Sequence, residues 1–157
     1  MTRKAVYAGT FDPFTTGHDD ILKRSLALFD EVTVLLAISP TKKPLFTIEQ
    51  RLEMISEHFK SEKKVKVDSW GGLLVDYAKN NGIDTIIRGL RPTGDFEFEF
   101  QMASMNKKLY PEIETIFLMT EGQNYFVSSS LVKEVYNHKG NVKSFLPETI
   151  YKWLLNN

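Results

Sequence analysis

Five short runs rich in β-branched and apolar residues recur along the chain, at positions 4–8, 31–38, 65–68, 85–88 and 113–119, with longer stretches of helical spacing between them. That alternation restricts the fold more than any other feature. It predicts parallel strands joined by crossover helices: an α/β, Rossmann-like, doubly wound five-stranded sheet with helices on both faces. At 157 residues one hydrophobic core accounts for the whole length, so residues 1–157 are expected to form a single domain.

The intervening stretches carry helix signals of their own. Ile21, Leu22, Ser25, Leu26 and Phe29 recur on one side of a 3.6-residue repeat, with Asp20, Lys23 and Arg24 on the other. Thr47 and Gln50 have capping-box spacing and open a helix that turns Leu52, Ile55 and Phe59 inward. A third helix is expected over 73–81, stopped by Gly82, and a last one starts at Pro147 and carries Trp153, Leu154 and Leu155. The segment DFEFEF at 95–100 alternates strictly, which is a strand pattern, yet it runs on into QMASMNKKL without a turn residue. Its length predicts a helix, with Phe96, Phe100 and Ala103 on one face and Phe98, Met102 and Met105 on another. A helix apolar on two faces needs cover on both, so a subunit interface is expected there.

Composition excludes several function classes. Lys plus Arg and Asp plus Glu both number 20, so no surplus positive field exists to hold a nucleic-acid backbone or an anionic membrane at long range. Cysteine is absent, which removes disulfides, thiolate catalysis and cysteine-based metal sites and fits a reducing compartment. The longest clean apolar run, VTVLLAI at 32–38, is far short of a membrane span, and the start lacks the apolar stretch of a signal peptide. A soluble cytoplasmic protein is expected. His58 and His138 fall at polar helix ends and are expected to be solvated, and Trp70 and Trp153 to serve packing.

In a doubly wound sheet ligands sit beyond the carboxyl ends of the strands, so the strand-to-helix turns are where chemistry is expected. The first turn, GTFDPFTTG at 9–17, leads straight into a helix whose leading N–H groups form an anion site. Gly9 and Gly17 let the backbone approach a bulky ligand, Pro13 stiffens the loop, and a neutral His18 in the first helical turn can donate to a phosphate oxygen. Asp19 and Asp20 would repel that ligand and must face away. The second turn, SPTKKP at 39–44, offers Lys42 and Lys43. The fourth, RGLRPTGDFEFE, begins with Arg88 at a strand end and sets Arg91 three residues on, with Gly89 and Gly94 as swivels. A guanidinium at the end of a buried strand is costly unless an anion meets it. In the fifth, Ser128, Ser129 and Ser130 open a helix, where they can cap it or donate to a phosphate. Together the turns describe a polyphosphate site.

The segments GTFDPFTTGH, SPTKKPLFT, IIRGLRPTGDFEFE and SSSLVKE, in this order and spacing, resemble the bacterial phosphopantetheine adenylyltransferases. These belong to the nucleotidyltransferase superfamily, whose His-x-Gly-His or Thr-x-Gly-His turn is shared with class I aminoacyl-tRNA synthetases. The resemblance runs nearly end to end. It implies transfer of AMP from ATP to 4′-phosphopantetheine, yielding dephospho-CoA and pyrophosphate, the penultimate step of coenzyme A biosynthesis. It implies Mg²⁺ riding on the ATP phosphates, coenzyme A as a feedback inhibitor, and a homohexamer. Thr10, Lys42, Leu74 and Arg88 would contact the acceptor. Thr10, Phe11, His18, Gly89, Leu90, Arg91, Glu99, Asn124, Tyr125, Phe126, Val127, Ser128, Ser129 and Ser130 would hold ATP, with His18, Lys42 and Thr10 catalytic and His18 the transition-state stabiliser. The chain departs from the family at Ala8, commonly proline, at Phe14, commonly a smaller aliphatic residue, and at RPTGD, where Arg-Ala-Val-Ser-Asp is usual.

Two other readings share these residues. A nucleotidyltransferase acting on glycerol phosphate, choline phosphate or nicotinamide mononucleotide would usually carry histidine where Thr15 stands. A regulatory nucleotide-binding module would keep the pocket without the reaction, and His18, Lys42, Arg88 and Arg91 speak against such decay. RNA charging fits least, given the length and the absence of basic excess.

Overall fold

The computed structural model describes residues 1–41, 43–92 and 95–157. Its centre is a five-stranded sheet with the order β3-β2-β1-β4-β5, every neighbouring pair parallel. The strands are β1 (Lys4–Gly9), β2 (Glu31–Ala37), β3 (Val65–Trp70), β4 (Thr85–Leu90) and β5 (Glu114–Met119). Helices α1 (Thr16–Ser25), α2 (Ile48–His58), α3 (Leu74–Asn80) and α4 (Asp95–Leu109) connect them in turn, and α5 (Ser129–Asn137) and α6 (Glu148–Asn156) follow β5. The expected Rossmann-like α/β fold is the one observed.

Side chains alternate across the sheet and build two cores. Ala5, Tyr7, Val34, Leu36 and Ile87 join the larger one with Ile21 and Leu22 of α1, Met54 and Ile55 of α2, and Ile150 of α6. Val6, Ala8, Leu35 and Ile86 face the other way, against Tyr77 and Ala78 of α3. Thr47 caps α2 as its spacing predicts, with the Gln50 N–H donating to its hydroxyl and its own N–H donating to the Gln50 side chain. Gly82 ends the α3 turn at φ 62°, the left-handed conformation that glycine adopts without penalty. Trp70 and Trp153 are partly buried against the two cores, as expected of packing residues.

DFEFEF is helical, the opening of α4. Phe96 meets Phe117 with ring centroids 6.3 Å apart, and Phe117 points away from the larger core that Ile116 and Leu118 join, so α4 covers the opposite face at the β4–β5 side. Glu99 is its one buried residue. Phe98, Met102 and Met105 stay 44–61% exposed, so the second apolar face that the sequence shows lies uncovered in the single chain.

The centre of the sheet should carry much of the stability. Ile87, 0% exposed and paired in register with Tyr7 and Ile116, is expected to cost about 2–5 kcal/mol when replaced by Ala. Urea unfolding followed by circular dichroism measures this, and an unchanged midpoint would contradict the packing described.

Candidate active site

The strand order reverses between β1 and β4, and a cavity of about 430 Å³ opens at their carboxyl ends. Thr10, Phe11, His18, Arg88, Gly89 and Arg91 line it, together with Glu99 from α4 and Val127, Ser128, Ser129 and Ser130 from the last turn. Helices α1 and α5 both present their N-terminal ends to it, a placement that favours an anion.

His18 is held by its own helix start. Thr15 is the N-cap of α1, its hydroxyl accepting from the His18 N–H at 3.4 Å, while the Thr15 backbone N–H donates to His18 Nδ1 at 3.0 Å. A backbone N–H can only donate, so Nδ1 is the acceptor and the proton of the neutral ring resides on Nε2. Phe11 stands perpendicular to the imidazole at 4.9 Å and Phe14 lies at 5.4 Å. Burial, then the nearby Arg91 and Arg88 charges, lowers the His18 pKa to about 3. The ring is therefore a neutral Nε2–H donor throughout the physiological range. Asp19 and Asp20 turn outward as expected, Asp19 to Lys23 at 2.6 Å and Asp20 to Arg24 at 3.2 Å.

The anion that meets Arg88 comes from the chain itself. Glu99 takes two of its donors, at 2.8 and 2.6 Å, and the Ala8 carbonyl takes a third at 2.6 Å. The argument that a ligand must offset this buried guanidinium is thereby corrected: the ion pair is preformed, and it aims a rigid fork at the cavity wall. Arg91 is paired likewise with Asp95, one turn along, at 3.0 Å. Ser128 caps α5 by accepting from the Leu131 N–H, and Ser129 donates to the Pro13 carbonyl at 2.9 Å. Both serines serve structure and still line the cavity.

Other expectations fall outside the lining. Leu74 opens α3 beside the smaller core, on the same edge of the sheet but beyond β3. Leu90 ends β4, and its carbonyl accepts from Thr120. Asn124, Tyr125 and Phe126 form the approach to the serine turn, where Asn124 lies close to the glycine at the start of α1. Lys42 and Gly94 lie outside the described residues. Gly9 is closely packed, since a Cβ there would come within 3.1 Å of the Phe11 ring. Phe14, the departure from the family pattern, is 1% exposed and packs on Phe59 beneath the His18 ring. His58 is a second correction. It is not solvated; its Nε2 contacts the Asp19 carboxylate at 2.9 Å, tying α2 to the start of α1.

Sequence reasoning passed over Asp12, Asp95, Thr120 and Lys133, all of which line the cavity. Among the described residues no cluster of His, Cys, Asp or Glu could hold a metal ion. Asp12, Asp95 and Glu99 are each engaged by a cationic side chain of the chain. A divalent cation bound here would therefore take most of its ligands from outside these three carboxylates.

The cytidylyltransferase-like family matches residues 6–135. A phosphopantetheine adenylyltransferase of Heliobacterium modesticaldum is 51% identical over 146 residues, covering 93% of this chain and 87% of the relative. The chain belongs to the phosphopantetheine adenylyltransferases. Enzymes of that name from Dictyoglomus turgidum, 50% identical over 147 residues and 92% of the relative, and from Anaeromyxobacter sp. (strain K), 47% identical over 154 residues and 94% of the relative, agree. Membership in this nucleotidyltransferase family accords with a cavity at the switch point between β1 and β4. No described helix is long and apolar enough to cross a membrane.

The His18 environment predicts its titration. An unfolded imidazole protonates near 6.5, the folded one only near 3, so the stability it confers is complete above 6.5 and is lost as pH falls toward 3. Nitrogen-15 NMR should find His18 neutral and protonated on Nε2 from pH 5 to 8; a titration midpoint inside that range would contradict the geometry.

Proposed function

We propose that the chain transfers AMP from ATP to 4′-phosphopantetheine, releasing pyrophosphate and forming dephospho-CoA. The observation that carries this reading is the fixed, neutral His18, whose Nε2–H is the polar group the ring can offer to the cavity. The acceptor is a phosphate monoester with a second pKa of about 6, so it arrives largely dianionic and needs no protein base. What the reaction needs is alignment of two anions and stabilisation of charge on the α-phosphoryl oxygens.

His18 would donate to those oxygens, and the N-terminal ends of α1 and α5 would add oriented N–H dipoles. Arg91, Glu99, Phe11, Gly89 and the 124–130 segment would hold ATP, with Leu90 contributing from the end of β4. Thr10, Lys42, Leu74 and Arg88 would face the acceptor, Thr10 standing at the junction of both substrates. Mg²⁺, bound to the ATP phosphates, supplies charge neutralisation. Coenzyme A carries the same adenylylated pantetheine as the product, so it would compete for this cavity and act as a feedback inhibitor.

Assembly belongs to the same proposal. Phe96, Phe98, Phe100, Met102 and Met105 leave 44–61% of their surfaces exposed along α4, and a homohexamer would cover them. Sedimentation at micromolar concentration should give a multimer of the 18.1 kDa chain; a monomer would contradict this part.

Removing the imidazole tests the mechanism. His18→Ala should lower turnover about 10²- to 10³-fold in a pyrophosphate-release assay with ATP and 4′-phosphopantetheine. The same assay with glycerol phosphate, choline phosphate and nicotinamide mononucleotide should show no comparable rate. Near-normal turnover of His18→Ala, or a preferred rival acceptor, would overturn the reading.

A further inference from the structure

At the wall of the cavity one carboxylate joins three segments of the chain that line or adjoin it. Asp12 belongs to the first turn and is 1% exposed, a depth at which a carboxylate persists only among donors. Its Oδ1 accepts from the Phe46 N–H at 3.0 Å, and its Oδ2 accepts from the Leu45 N–H at 2.8 Å and from Lys133 Nζ at 3.2 Å. Leu45 and Phe46 end the connection between β2 and α2, and Lys133 lies one helical turn after Ser129 on α5.

The same turn is gripped through its backbone. Arg51, 4% exposed, donates through Nη1 to the Thr10 carbonyl at 2.7 Å and through Nε to the Phe46 carbonyl at 3.1 Å. Ser129 donates to the Pro13 carbonyl at 2.9 Å. Between these anchors Phe11 adopts φ 48°, a conformation that a bulky residue keeps only where its surroundings over-determine it. The ring so placed stands against His18.

We propose that Asp12 is a positioning residue for adenylyl transfer, its carboxylate clamping the β2–α2 connection and Lys133 of α5 onto the first turn so that acceptor-side and nucleotide-side groups keep one separation. This rests on the adenylyltransferase reading above. Asp12 reaches the reaction through other groups, since both of its carboxylate oxygens are engaged by donors of the chain. Its loss would leave the sheet intact and free the relative placement of the segments. A displacement of 1 Å between reacting groups costs about 10²-fold in rate.

Asp12→Asn keeps the volume and one carbonyl oxygen but turns an NH₂ toward donors it cannot accept from. The test compares this variant with the unaltered full chain, using MgATP and 4′-phosphopantetheine. The expected result is a kcat lowered about 10²-fold, with both KM values and the stoichiometry of ATP binding within about threefold of the unaltered chain. A kcat within that same margin, or a rate loss matched by an equal loss of ATP-binding sites, overturns the proposal, because the second is the mark of mere unfolding. An unaltered chain inactive on these substrates refutes the function reading instead, so the two failures are distinct. Amide exchange in the unaltered chain tests the clamp without a variant: the Leu45 and Phe46 amides should be protected, and exchange at the rate of free loop amides would sink it.

Discussion

The parallel pairing of β1 with β4 is the constraint on which the site depends. Ala5, Val6 and Tyr7 pair with Thr85, Ile86 and Ile87, although two strands and three helices lie between them in sequence. Chains leaving the two strands depart to opposite faces of the sheet, α1 onto the larger core and α4 onto the other side. A crevice between them follows from topology. Into it one strand delivers the turn that ends in His18, and the other delivers Arg88 and Gly89. A Cβ on Gly89 would lie 3.2 Å from Ile21 Cγ1, so α1 is seated closely over β4 at that point.

Around that crevice the charges are arranged in pairs. Arg88 with Glu99, Arg91 with Asp95, and Lys133 with Asp12 place each of these cations beside a carboxylate before any ligand arrives. Such pairs hold a guanidinium in one orientation at a small loss of conformational freedom on binding. Among the described residues they also offset the repulsion that unpaired cations facing one another across a cavity of this size would feel. His18 completes the logic, because burial first and the field of the two arginines second keep the ring from acquiring a charge of its own.

Local patterns made most of the fold readable. The strands fall within a few residues of their apolar runs, and the length of the unbroken segment after Asp95 outweighed the strict alternation of DFEFEF. The first turn was legible as a wall of the cavity from its two glycines, its histidine and the helix that follows. Contacts between distant residues were not. Asp12 and Leu45 are 33 positions apart, and Arg88 and Glu99 are 11 apart across a turn, so neither pair leaves a periodic trace. Arg91 and Asp95 are only four positions apart, yet Arg91 precedes α4, so helical spacing did not announce that pair either. The capping role of Thr15 was hidden because histidine replaces the usual Glu or Gln at the third helical position. His58 looked solvated because its helix end is polar, and only the folding of α2 against α1 brings Asp19 to it.

The balance of charge bears on how such a site recognises a polyphosphate. The chain has a formal net charge of zero, and the described ion pairs of the cavity are neutral in sum, so neither long-range attraction nor a local excess among them gathers the nucleotide. In the proposed reaction, recognition among the described residues would then rest on short-range donors: the His18 Nε2–H, the Ser128 and Ser130 hydroxyls, the guanidinium N–H bonds not taken by the chain and the first N–H groups of α1 and α5. Dipoles of this kind act strongly at contact distance and fade quickly beyond it. Their effect on a developing charge needs no reorganisation once the turns are fixed, so the contacts that fix those turns would matter as much as the donors themselves.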